Sequence, residues 1–185
     1  MNMNRCTVSF NGLTVVLCSA LVFICTSAQA HLMEAQNGTF NLQDGYGYLA
    51  VAIPASSLEF IDQEGDGLMS EQELAAQSST INEQINKHIK LTSRGSEIAK
   101  VVAMISINGG DEGHEQPSRH LLVMLKFTLD KPAVCGAPDS VADLLLELSL
   151  FGNVESEKVV RVTSMLCDVK HEIVFDQNHP VASLF

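Results

Sequence analysis

The chain is 185 residues long, 46% hydrophobic, with 22 acidic against 11 basic residues and a formal net charge of −11. That length suits one domain with a core large enough to be stable alone. The negative balance argues against nucleic acid and anionic membrane surfaces as partners, since both repel it.

Residues 1–30 read as a secretory signal peptide. Arg5 and the amino terminus make a positive n-region, and Leu13 to Cys25 is an apolar run too short for an ordinary transmembrane helix. Thr26-Ser27-Ala28-Gln29-Ala30 then supplies an Ala-x-Ala cleavage site. An uncleaved anchor is the competing reading. Cleavage after Ala30 predicts a periplasmic or secreted product, residues 31–185, with no membrane span of its own. Neither Cys18 nor Cys25 has the small residues of a lipoprotein site. Cys135 and Cys167 remain, and an isolated pair in an exported protein is most simply a disulfide. Such a bridge would stabilise by about 3–4 kcal/mol. Two buried free thiols are the alternative.

Gly38 to Ile53 reads as a β-hairpin around the tight-turn pair Asp44-Gly45. Pro54 ends its second strand, and Ala55 to Ile61 is expected to form a helix of about two turns. After the loop at 62–73, Ser70 makes an N-cap with Glu73 at capping-box spacing. Leu74, Ile81, Ile85 and Ile89 follow at helical spacing, so this helix is expected to end near Leu91 to Gly95. Lys100 to Asn108, Arg119 to Asp130, Leu144 to Gly152 and Lys158 to Val169 read as strands, with a short one at Glu172 to Phe175. A buried helix at Leu144 to Leu150 is the alternative there. The fold expected is α+β: a mainly antiparallel, β-sandwich-like single domain with one EF-hand-like segment, 55–91, inserted after the first hairpin.

The run Asp62-Gln63-Glu64-Gly65-Asp66-Gly67-Leu68-Met69-Ser70-Glu71-Gln72-Glu73 carries the chemistry. It matches an EF-hand calcium loop, with Asp62, Glu64 and Asp66 on positions 1, 3 and 5 and Gly67 on position 6. Leu68 offers its carbonyl at position 7, Met69 is the apolar tether, Ser70 falls on position 9, and Glu73 closes the shell at position 12. Calcium wants six to eight oxygens, which closely spaced carboxylates on a tight loop provide. Glu64 is one carbon longer than the usual ligand there, so its oxygen must bend back or act through water. Glu73 cannot fully serve both the ion and the Ser70 amide. No second loop matches, so the mutual support of paired EF-hands is missing. Weak affinity, about 10⁻⁴–10⁻³ M, and a structural ion follow from that. The bland reading is an acidic turn that caps a helix.

His31 would begin the mature chain, where its amine and imidazole could chelate copper with His88, His114, His120, His171 or His179 completing the shell. Asp111-Glu112-Gly113-His114-Glu115 reads as a solvated loop. No nucleophile elbow, zincin motif, phosphate loop or dinucleotide fingerprint occurs.

His31-Leu32-Met33, Gly38-Thr39-Phe40-Asn41 and the Asp62–Leu74 loop, in that order behind a signal peptide, resemble exported bacterial EF-hand domain-containing proteins of unassigned activity. The layout is also distantly similar to the extracytoplasmic part of hydrogenase/urease accessory-type membrane proteins. There an acidic loop likewise follows a strand pair, and a segment like Leu150-Phe151 through Val174-Phe175 closes the domain. The membrane helices of that family do not follow here, which argues against a transport role. The resemblance implies calcium binding at Asp62, Glu64, Asp66, Ser70 and Glu73, and no known reaction. The sequence thus leads to an exported, non-catalytic calcium-binding protein with an unidentified protein partner left open. A copper-binding protein using His31 is second, and an exported enzyme third.

Overall fold

The first hairpin forms as its residues dictate. In the computed structural model, which describes residues 35–58, 61–62, 65–107, 118–129, 143–167 and 169–185, β1 (Asn37–Gln43) and β2 (Tyr46–Pro54) pair antiparallel. They join through Asp44 and Gly45, both at positive φ (52° and 82°), which suits the twist of a tight hairpin. Residues 1–30, read above as a signal peptide, lie outside the described residues, as do His31, Glu64, the Asp111–Glu115 segment and Cys135.

The helix expected at Ala55 to Ile61 is replaced by a single 3₁₀ turn, Ala55–Ser57. Pro54 stays extended (ψ 137°) and in register with His120, and the Ala55 amide donates to the Arg119 carbonyl at 2.7 Å. Sheet pairing therefore holds the backbone that a helix would have needed to turn. The long helix expected after the loop is also divided. α1 (Glu71–Ala76) stops at Gln77, where φ and ψ leave the helical region, and α2 (Ser78–His88) resumes with Ile81 and Ile85 buried. Ile89 and Leu91 then belong to β3 (Ile89–Ser93), because two residues apart is also strand spacing and Leu146 and Leu148 pair with them there.

β3 turns through Arg94 and Gly95, again at positive φ, into the two-residue β4 (Ser96–Glu97). β5 (Lys100–Ile107) and β6 (His120–Thr128) form where expected. β7 (Leu144–Leu148) is a strand, which closes the helical alternative. β8 (Val159–Leu166) pairs along its whole length with β9 (Val169–Asp176), twice the span expected there, and β10 (Val181–Ser183) ends the strand series.

One sheet runs β5-β6-β2-β1-β8-β9 and the other β10-β7-β3-β4. Among the described residues every pairing is antiparallel except β1 with β8. Two mostly antiparallel sheets with few helices make an α+β, sandwich-like arrangement. Both sheets feed one apolar core: Phe40, Val51, Val123, Phe127 and Val162 from the first meet Ile89, Leu91, Leu146 and Leu148 from the second. Leu121, Val123, Leu125 and Phe127 alternate inward along β6, while Met124 on the other parity is open to solvent. Among the described residues no helix is long and apolar enough to cross a membrane.

Candidate calcium site

The acidic loop leaves the end of β2 and leads into α1, so one end of the six-stranded sheet carries it. Its apolar residues are its anchors: Ile61 and Met69 are fully buried on either side of the exposed stretch Gly65–Gly67. Between them the chain folds round one carboxylate. Asp62 accepts from the Gly65 amide through Oδ1 (2.6 Å) and from the Gly67 amide through Oδ2 (2.7 Å). Both donors sit at positive φ, 72° and 76°, with open space where a side chain would project. Glycine is needed at these positions for backbone geometry, with crowding playing no part. Asp66 Oδ1 accepts from the Leu68 amide at 2.8 Å, tightening the second half of the turn.

At the far end the capping box is complete. The Glu73 amide donates to Ser70 Oγ at 3.2 Å, and Glu73 Oε2 accepts from the Ser70 amide (3.0 Å) and hydroxyl (2.8 Å). Glu73 is 8% exposed, a low value for a carboxylate, and its head is committed to the helix end. An ion would have to draw Glu73 out of this box, as its double spacing in the sequence implies. Among the described residues no three His, Cys, Asp or Glu side chains already stand together as a metal cluster. Asp62, Asp66, Leu68, Ser70 and Glu73 do share one loop, in which backbone amides fix the carboxylates of Asp62 and Asp66. The donor set is all oxygen, which fits calcium; Glu64 lies outside the described residues.

Two participants were not foreseen. Gly65 is one of the two amides on Asp62. The second participant is Ser118: the Met69 amide donates to the Ser118 carbonyl (2.8 Å), and the Ser118 amide donates back to the Met69 carbonyl (3.0 Å), as an isolated antiparallel bridge. The loop thus gains from the chain leading into β6 the backbone support that a paired loop would give. No local signal could have revealed this, since the partners are far apart in sequence.

A second polar group lies near the same sheet end. Glu157, 6% exposed, accepts from Ser56 Oγ at 2.7 Å, and Gly152 packs so closely that an added Cβ would lie 2.1 Å from Glu157 Oε2. His120 accepts from Gln36 Nε2 at 2.6 Å through its own Nε2. Burial lowers the His120 pKa, with Glu157 pulling it upward and Arg119 adding to the depression. Of the remaining histidines, His88 contacts Ser149 and His179 contacts Asp176, while His171 lies by the Leu184 carbonyl. Cys167 sits at positive φ (57°) in the turn between β8 and β9.

No protein-family model matches this chain, and comparison with curated proteins finds no match.

Proposed function

We propose that this chain is an exported, non-catalytic calcium-binding protein. Its single EF-hand-like loop would hold the ion through Asp62, Glu64, Asp66, the Leu68 carbonyl, Ser70 and Glu73. The observation that carries this reading is Asp62, whose two oxygens take amides from two left-handed glycines directly ahead of a helix start that offers Glu73. The ion braces the structure. A sensor must open helices to expose a groove. Here a three-residue 3₁₀ turn leads to the loop and a six-residue helix leaves it.

Calorimetry and thermal unfolding of the mature chain with calcium test the proposal. At calcium 100-fold above Kd the domain gains about 2.7 kcal/mol. Glu73→Gln is expected to shift saturation to about tenfold higher calcium, equivalent to about 1.4 kcal/mol. Absence of calcium heat at millimolar ion, or an unchanged Glu73→Gln variant, would sink the reading.

A second reading has one observation in its favour. Gln36, five positions after His31, bonds the ring of His120, and burial keeps that ring neutral and ligand-competent. Copper held by the His31 amine and imidazole with His120 would require Gln36 to yield its bond. One alanine added ahead of His31 should then abolish copper binding, and unchanged affinity would rule it out.

A further inference from the structure

Sheet edges are where strands invite partners, and among the described residues three of the four edges are protected. β4 and β10 are two and three residues long. β9 carries Lys170, His171, Glu172 and Asp176 along its length. Short edges and charged edges both discourage strand addition. β5 has neither defence. It is eight residues long, and from Val101 to Ile107 it reads Val-Val-Ala-Met-Ile-Ser-Ile with no charge. Its one lysine, Lys100, is turned inward: the ammonium donates to the Asn86 carbonyl (2.9 Å) and contacts Glu97, leaving the side chain 6% exposed.

β5 pairs only with β6 among the described residues, so its other side presents unpaired amides and carbonyls. A bulge between Val102 and Met104 divides that side and leaves Met104–Ile107 as its regular run. Val102, Ile105 and Ile107 are only half-buried, whereas their β6 neighbours Leu121, Val123 and Leu125 are buried. Opposite this edge stand α1 and α2. Glu71, Leu74, Ala75, Ser78 and Asn82 form the far wall of a groove of about 530 Å³ whose near wall is β5. That volume falls within the range of ligand pockets. The lining holds one acidic side chain, Glu71, and no basic one.

We propose that β5 is a strand-addition edge that takes one extended peptide segment of a partner protein, with uncharged side chains in the groove and a basic residue meeting Glu71. Main-chain hydrogen bonds to β5 would supply most of the affinity, and alternate side chains would complete the burial of Ile105 and Ile107. A second copy of this chain fits less well, because its own β5 would arrive with α1 and α2 beside it.

The probe is a fluorescein-labelled hexapeptide of alternating valine and threonine with one terminal lysine, followed by anisotropy on the mature chain. Saturable binding is expected, with hydrogen exchange at Met104–Ile107 slowed at least about tenfold. Ala103→Lys places a charge on the exposed bulge and should weaken binding about tenfold or more without moving the thermal midpoint. Glu71→Lys should reverse the preference toward a probe ending in glutamate. The proposal is overturned by lack of binding at about millimolar peptide, or by unchanged binding in Ala103→Lys. It is equally overturned by sedimentation showing a dimer in which β5 is already protected without peptide.

Discussion

His120 is the residue at which pH should act first. Burial holds its folded pKa below 6.5, only partly countered by Glu157, while the unfolded chain titrates near 6.5. The unfolded state therefore binds the proton more readily, and the stability tied to neutral His120 is complete above about pH 6.5. It is lost as pH falls through the lower, folded value. Protonation would also break the bond from Gln36, because a charged ring offers no acceptor. Asp176 behaves separately. Desolvation pushes its pKa up, but the amides of Asn178 and His179 and the His179 ring outweigh this and set it below the usual carboxylate value. Its contribution disappears only at more acid pH. Urea midpoints at pH 7.5 and 5.5 should therefore differ in the native chain and differ less in His120→Asn. An equal drop in both proteins would show that another group controls this window.

At the scale of elements, the junction of loop and helix sets calcium against the capping box. Ser70→Ala removes the side-chain oxygen that accepts from the Glu73 amide and should cost about 1 kcal/mol without calcium. If the loop holds calcium as proposed, Ser70→Ala also removes a ligand, so the penalty should grow with calcium saturating. Denaturant titrations with and without calcium measure both values, and an identical penalty would mean that Ser70 takes no part in holding the ion. This junction was legible in the sequence because Ser70 and Glu73 act within one turn of chain. The Asp44-Gly45 hairpin was legible for the same reason: a turn pair fixes its own register. Elsewhere local pattern misled. Ile85, Ile89 and Leu91 satisfy helical and strand spacing in succession, and only β7, more than fifty residues later, decides that Ile89 begins a strand. Pro54 and Ala55 could open a helix, but Arg119 captures the Ala55 amide first. The carboxylates of the candidate site were readable for their chemistry, whereas Ser118 was not, because its bridge to Met69 exists only after the sheet has formed.

For the molecule as a whole, the question is what makes two sheets behave as one body. The parallel pairing of β1 with β8 joins the first hairpin to the C-terminal third inside one sheet. The link between sheets is carried by the last turn of chain. β10 pairs with β7 of the smaller sheet, and the Leu184 amide donates to the Leu144 carbonyl at 3.0 Å. The Leu184 carbonyl accepts from Ser164 Oγ on β8 of the larger sheet, with Ser164 fully buried. Leu184 itself is 0% exposed and belongs to the shared core. Leu184→Ala should therefore destabilise by about 2–5 kcal/mol, the range for a truncated core leucine. Ser164→Ala should cost less, about 1 kcal/mol, because the His171 ring also lies near the same carbonyl. If the sheets share one cooperative unit, both variants unfold in a single transition at lower urea with an unchanged slope. A second, earlier transition in Leu184→Ala would instead mean that the smaller sheet melts on its own. In that case the loop and α2, which join the shared core through Met69 and Ile81, would be held by the larger sheet alone.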